Sequence, residues 1–136
     1  MHFLNYLEEV RKMNLPFGEY AILGSGPLAI RKIRDSKDID LIVTPKIYRC
    51  YNKQKGWKLR LAYGNFFLKK GNVEMWRKIG FWKIKVNIKD FIDRAELIEG
   101  LPFVNMKDFI LWKKKGFRNK DKKDVILAEE YLARGC

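Results

Sequence analysis

Histidine is nearly missing from this chain: His2 is the single one in 136 residues. That removes every catalytic scheme that needs a histidine base within the fold, and every zinc site built on imidazoles. Cysteine is scarce as well. Cys50 and Cys136, the second at the end of the chain, make no disulfide framework. No apolar run approaches the roughly 18 uninterrupted residues of a membrane span, so a soluble protein without a membrane partner is expected. The opening "MHFLNYLEEVRKM" carries acids early and has no apolar block of the signal-peptide kind, which points to an intracellular, cytoplasmic protein. There is no low-complexity tail, internal repeat or Pro/Ser-rich linker. One domain over residues 1–136 is the expectation, with 47% hydrophobic residues to build its core.

Positive charge is what the chain has in excess. Lysine and arginine number 29 against 16 acids, a formal charge of +13. Net charge by itself speaks of solubility and non-specific contacts, not of fold. The sharper reading is a polyanionic partner, either nucleic acid or the phosphates of a nucleotide. The basic residues are spread out, with denser patches at 113–115 and 118–123.

Periodicity gives the elements. Phe3, Leu7, Val10 and Met13 recur at helical spacing and predict a helix over 2–14. Tyr20 to Leu23 reads as a short apolar strand ending at Gly24, and Pro27 opens a helix through Ile33. Ile39 to Val43 is the next strand. Thr44 is then expected to cap a helix with Pro45 in its first turn and Gly56 as its stop. Between 57 and 86, "WKLRLAY", "FFLKK", "VEMW" and "WKIKV" read as antiparallel strands, with turns at Gly64-Asn65 and Gly71-Asn72. Ile88 to Ala95 reads as a helix. "NMKD" at 105–108 caps a further helix that Gly116 should end, and 120–133 forms the last, with Val125, Ile126, Ala128 and Leu132 facing the core. The fold class expected is α/β (α+β): a small mixed sheet flanked by helices, with a helical C-terminal tail.

Chemistry concentrates in "LGSGPLAIRKIRDSKDIDLIV", residues 23–43. In an extended strand, residues i and i+2 share a side. Asp38 and Asp40 therefore project together, while Ile39 and Leu41 point into the core. Two carboxylates side by side raise each other's proton affinity, and a divalent cation relieves that cost. Glu74 in "NVEMW" offers a third carboxylate, since Val73 and Met75 face one way and Glu74 with Trp76 the other. Gly24 and Gly26 let the backbone approach a ligand closely, amides at the following helix start favour phosphate, and Ser25 adds a hydroxyl. Lys113 is a candidate phosphate contact. Asp121 and Asp124 read as capping and ion-pairing residues, and Ser36 as the end of a turn. Trp57, Trp76, Trp82 and Trp112 either fill the core or stack on a base.

These residues resemble the nucleotidyltransferase-fold superfamily, which shares the catalytic core of polymerase beta. Leu23-Gly24-Ser25 matches the first part of its signature. Asp38-Ile39-Asp40-Leu41, after a twelve-residue spacer (26–37), matches the second. Glu74 corresponds to the family's third carboxylate by position and context. "IRDSKDIDL" is similar to the basic-x-Ser/Thr-x-Asp run of small members. "FILWKKKGFRNKDKKDVILAEEYL" is similar to the tail of minimal, stand-alone ones, with Lys113, Arg118, Lys120, Asp121 and Asp124 in the corresponding places. The resemblance implies a nucleotidyltransferase fold and a transfer of a nucleoside monophosphate from an NTP to an acceptor hydroxyl, dependent on Mg²⁺ or Mn²⁺. Asp38 and Asp40 would hold the metal with Glu74, Gly24 and Ser25 the triphosphate, and Glu74 would help activate the attacking hydroxyl. The acceptor is either an RNA or tRNA end, or a protein hydroxyl as in toxin–antitoxin pairs, bound by the residues after Glu74 or else with a partner chain or a homo-oligomer completing the site. The alternative is a catalytically inactive module that keeps the fold to bind nucleotide or nucleic acid.

Overall fold

The computed structural model describes residues 2–62, 64–79, 87–115 and 119–134, the side chains of residues 2 and 119 excepted. The elements in chain order are α1 (His2–Met13), β1 (Tyr20–Leu23), α2 (Gly26–Ile30), β2 (Ile39–Val43), α3 (Pro45–Asn52), β3 (Lys58–Ala62), β4 (Asn65–Lys70), β5 (Val73–Trp76), α4 (Ile88–Asp93), β6 (Glu96–Ile98), β7 (Leu101–Phe103), α5 (Met106–Lys114) and α6 (Asn119–Arg134). The strands form a seven-stranded sheet in the order β3-β4-β5-β2-β1-β7-β6. It is mixed. β2 runs parallel to β5 and β1 parallel to β7, while the other neighbours are antiparallel.

Helices cover both faces of the sheet. On one, Ile22, Ile39, Leu41, Val73 and Met75 pack with Phe3, Leu7 and Val10 of α1 and Ile47 of α3. On the other, Ala21, Leu23 and Ile42 pack with Phe91 and Ile92 of α4, Phe109 and Trp112 of α5 and Ala128 of α6. The central strands β1 and β2 are buried on both faces, which is why they read as continuous apolar runs. Asp40 interrupts that burial. The architecture is thus mixed α/β with flanking helices and a C-terminal helix, as the sequence implied, and no described helix is long and apolar enough to cross a membrane.

Several local readings change. The helix opened by Pro27 stops at Ile30, not Ile33. Lys32 adopts a left-handed φ of 59°, and the amides of Lys32 and Ile33 return to the carbonyls of Ala29 and Leu28, a Schellman ending made without glycine. α3 ends at Asn52, before Gly56. Thr44 occupies the N-cap position, but its hydroxyl binds the Glu19 carboxylate and makes no cap bond. Asn105 does cap, accepting from the Asp108 amide at 2.9 Å. In α6, Val125 and Ala128 are buried with Asp121 and Asp124 on one stripe, and this turns Ile126 and Leu132 out to solvent. The β6–β7 hairpin had no counterpart in the sequence reading. Its strands are too short to show alternation, and its turn, Glu99-Gly100, has positive φ at both residues. The expected "WKIKV" strand, Gly116, Arg118 and Cys136 lie outside the described residues.

Phe109 joins α5 to the core and is fully buried. Phe109→Ala should lower the unfolding free energy by about 3–5 kcal/mol, read from urea melts. A loss below about 1 kcal/mol would contradict the packing described.

Candidate active site

β2 and β5 assemble the carboxylates. Asp38 stands immediately before β2 and Asp40 inside it, and their alternation sends Ile39 and Leu41 into the opposite core, both fully buried. β5 lies parallel beside β2, with Glu74 paired to Asp40 and the flanking Val73 and Met75 buried with Ile39 and Leu41. One oxygen from each of Asp38, Asp40 and Glu74 falls within 4.8 Å of the others. Burial, and then the facing carboxylates of Glu74 and Asp38, push the Asp40 carboxyl well above the usual carboxylate range, against the pull of the Lys113 charge. Asp40 Oδ1 is buried and has no hydrogen-bond partner in the protein. An orphaned buried oxygen among crowded carboxylates fits a hard divalent cation, for which three oxygen ligands are the right chemistry.

The Gly-Ser turn is fitted against this cluster. Leu23 pairs with Asp40 across β1 and β2, so Gly24 follows directly beside the carboxylate. Gly24 has a φ of 60°, and a Cβ there would lie 2.8 Å from Asp40 Cγ. Only glycine fits, for backbone and for space. Ser25 Oγ accepts a hydrogen bond from the Arg34 guanidinium at 2.6 Å, which leaves its own O–H to donate elsewhere. Ser36 holds the approach to β2, donating to the Asp38 carbonyl at 2.7 Å.

Lys113 reaches the same place from α5, and α6 holds it there. Its buried ammonium pairs with Asp121 at 3.1 Å and Asp124 at 3.2 Å. Asp124 also pairs with Arg34, through Nε at 2.8 Å and Nη2 at 3.0 Å. A continuous polar chain thus runs Lys113–Asp124–Arg34–Ser25, and Asp121 on Lys113 balances its charge. Of the capping and ion-pairing roles read for Asp121 and Asp124, ion-pairing is the one these contacts show. Arg34 is the member that sequence reasoning passed over. Its signal was its place in "IRDSKDIDL", a basic residue ahead of the acidic strand.

Gly24, Ser25, Asp38, Asp40, Glu74 and Lys113 all line one cavity of about 290 Å³. Its remaining wall mixes aliphatic residues, Ile42 and Ile79 among them, with Asn65, Phe67, Trp76, Trp112 and Lys120. Trp76 stacks on Phe67 with centroids 4.1 Å apart and an interplanar angle of 11°. Its Nε1–H donates to Glu74 Oε1 at 3.3 Å, and Lys69 Nζ approaches Glu74 Oε2 at 3.3 Å. The other tryptophans divide. Trp112 is buried and donates to the Ile79 carbonyl, Trp57 packs edge-on against Tyr51, and Trp82 lies outside the described residues.

No protein-family model matches the chain, and no curated protein does. Among solved structures, the chain is similar to ANT(2″)-Ia in complex with adenylyl-2″-tobramycin. The likeness has 19% identity and a TM-score of 0.45, over 93% of this chain and 85% of that one.

A raised Asp40 pKa means that the folded, ion-free protein keeps a proton which the unfolded chain releases near pH 4. Its contribution to stability is therefore lost as pH rises through the folded value. In EDTA, Asp40→Asn should melt higher than wild type at pH 8, by about 3 °C or more. The gap should shrink toward pH 5, and shrink again at pH 8 on adding Mn²⁺. A gap independent of both pH and Mn²⁺ would contradict the electrostatics described.

Proposed function

We propose that the chain is a nucleotidyltransferase of the polymerase beta-like fold, moving a nucleoside monophosphate from an NTP to an acceptor hydroxyl. The observation that carries this reading is the juxtaposition of three crowded carboxylates, one with an orphaned buried oxygen, and a serine turn whose glycine has no room for a side chain. A module that only bound a metal–nucleotide complex would use the same carboxylates, so transfer of label to an acceptor is what separates the two readings.

The transfer is an in-line exchange at the α-phosphorus. A bond forms from the acceptor oxygen to phosphorus as the bond to the oxygen bridging toward the β-phosphate breaks, and pyrophosphate departs. Glu74, oriented by Trp76 and Lys69, takes the hydroxyl proton. The Ser25 hydroxyl and the Gly24 backbone hold the triphosphate tail, and the Lys113 charge lies beside it on a mount fixed by Asp121 and Asp124. A divalent ion, Mg²⁺ or Mn²⁺, held by Asp38, Asp40 and Glu74, would neutralise these carboxylates and act as a Lewis acid toward phosphate. Positioning and electrostatics carry most of such a reaction, so a site without histidine suffices.

The test uses α-labelled NTPs with Mg²⁺ or Mn²⁺ and a mixture of RNA and protein acceptors. Label should pass to an acceptor, with Asp38→Asn and Asp40→Asn each lowering the rate about a thousandfold, or about 4 kcal/mol. Transfer that persists at the wild-type rate in Asp40→Asn would overturn the assignment.

A further inference from the structure

On the side of the sheet packed by α1 and α3, the core stops one strand short of the edge. Leu41, Met75, Leu68 and Leu59 lie opposite one another across β2, β5, β4 and β3. Side chains opposed in a ladder share a face, so these four make one apolar row. The first three are buried, whereas Leu59 is 56% exposed. Leu61 and its cross-strand partner Phe66 lie on the same side and are exposed as well, at 63% and 54%. Lys58 and Arg60 alternate with the two leucines and point to the other face, where Lys69 stands opposite Lys58. Among the described residues β4 is the one strand beside β3, and the alternate backbone groups along the outer side of β3 have no ladder partner there.

We propose that the outer edge of β3 takes an added strand from a partner protein, and that this strand alternates acidic with apolar residues. Each half of the pattern answers a feature of the edge. The apolar side chains lie beside Leu59 and Leu61 and carry the row begun by Leu41 one strand further. The acidic ones stand opposite Lys58 and Arg60, and the main chain completes the ladder. Lysine and arginine alone are an ordinary means of keeping an edge from pairing. They do not account for the leucines between them, which with Phe66 place three large apolar side chains in water at one corner of the sheet. A second copy of the chain suits the edge poorly. Laid antiparallel with faces matched about Leu59 or Arg60, it sets these cations against the same cations, and like charges opposed in a ladder repel. The chain's own residues 82–86, Trp-Lys-Ile-Lys-Val, lie outside the described residues and alternate lysine with apolar side chains, so they meet the same repulsion. Charge thus selects a foreign, acidic strand over both. The inference uses none of the carboxylates and stands apart from the transfer reading.

The probe is an N-acetylated, C-amidated peptide of four Glu-Val repeats, titrated near pH 7 into the full chain labelled with nitrogen-15. The amide signals of residues 58–62 should shift, and β3 amides that exchange freely in the peptide-free chain should become protected. Peptides of four Lys-Val repeats and of four Glu-Ser repeats should each bind at least about tenfold more weakly. Lys58→Glu/Arg60→Glu, at exposed positions, should reverse the preference and take the Lys-Val peptide over Glu-Val. Leu59→Ser/Leu61→Ser should weaken the Glu-Val peptide about tenfold with the circular dichroism spectrum unchanged. Equal binding of Glu-Ser and Glu-Val would overturn the proposal, because attraction of acids to a basic surface needs no strand. So would an unaltered preference in the charge-reversed variant, or no shift at β3 with millimolar peptide. Protection of every β3 amide in the peptide-free chain would overturn it too, since a second copy or residues 82–86 would then already cover the edge, and sedimentation would say which.

Discussion

The repulsion among Asp38, Asp40 and Glu74 is the constraint around which the rest is arranged. Three carboxylates with oxygens within 4.8 Å of one another, Asp40 carrying in addition a buried and unpartnered Oδ1, would separate in a loose structure. They are held because each sits on, or for Asp38 directly before, a strand whose alternate residues are locked into the opposite core. To move Asp40 away from Glu74, β2 must leave β5, which exposes Ile39, Leu41, Val73 and Met75. Apolar burial thus stores an electrostatic strain at one spot. The same close packing accounts for Gly24, whose missing side chain makes room for the Asp40 carboxylate.

A second polar system braces the first. Lys113, Asp124 and Arg34 lead from the buried face of α5 to the Ser25 hydroxyl, with Asp121 completing the charge balance. Removing one member of such a buried pair typically costs about 3–5 kcal/mol, because a charge is then stranded. α6 is therefore tied to the serine turn although residues 25 and 124 are far apart in sequence. Because this network is neutral, the chain's excess of positive charge lies outside it, and part of that excess stands on β3 and β4 beside the carboxylates.

What the sequence shows and what it conceals follow from the range of the interactions. The alternation Asp38-Ile39-Asp40-Leu41 is a period-two signal, and strand geometry alone puts both acids on one side. Val73-Glu74-Met75-Trp76 obeys the same rule. That β5 would lie parallel to β2 and set Glu74 opposite Asp40 is a matter of register between distant strands, which neither the alternation nor the family resemblance specified; both offered Glu74 only as a third carboxylate. Helix ends were legible where a side chain marks them, as at Asn105, and illegible where the backbone turns without glycine, as at Lys32. Ile126 and Leu132 misled because apolar type alone does not fix a helix face. The buried stripe of α6 instead runs through Asp121 and Asp124, whose partners, Lys113 and Arg34, belong to other elements. Arg34 and the Phe67–Trp76 stack escaped notice for the same reason.

The central claim is that these three carboxylates form one divalent-cation site facing a triphosphate. Crystals grown with Mn²⁺ and a non-hydrolysable NTP, measured at the manganese absorption edge, test it most directly. The account predicts anomalous density between Asp38, Asp40 and Glu74, with the phosphates against Gly24 and Ser25. Manganese bound elsewhere, or a nucleotide held away from that turn, would contradict it.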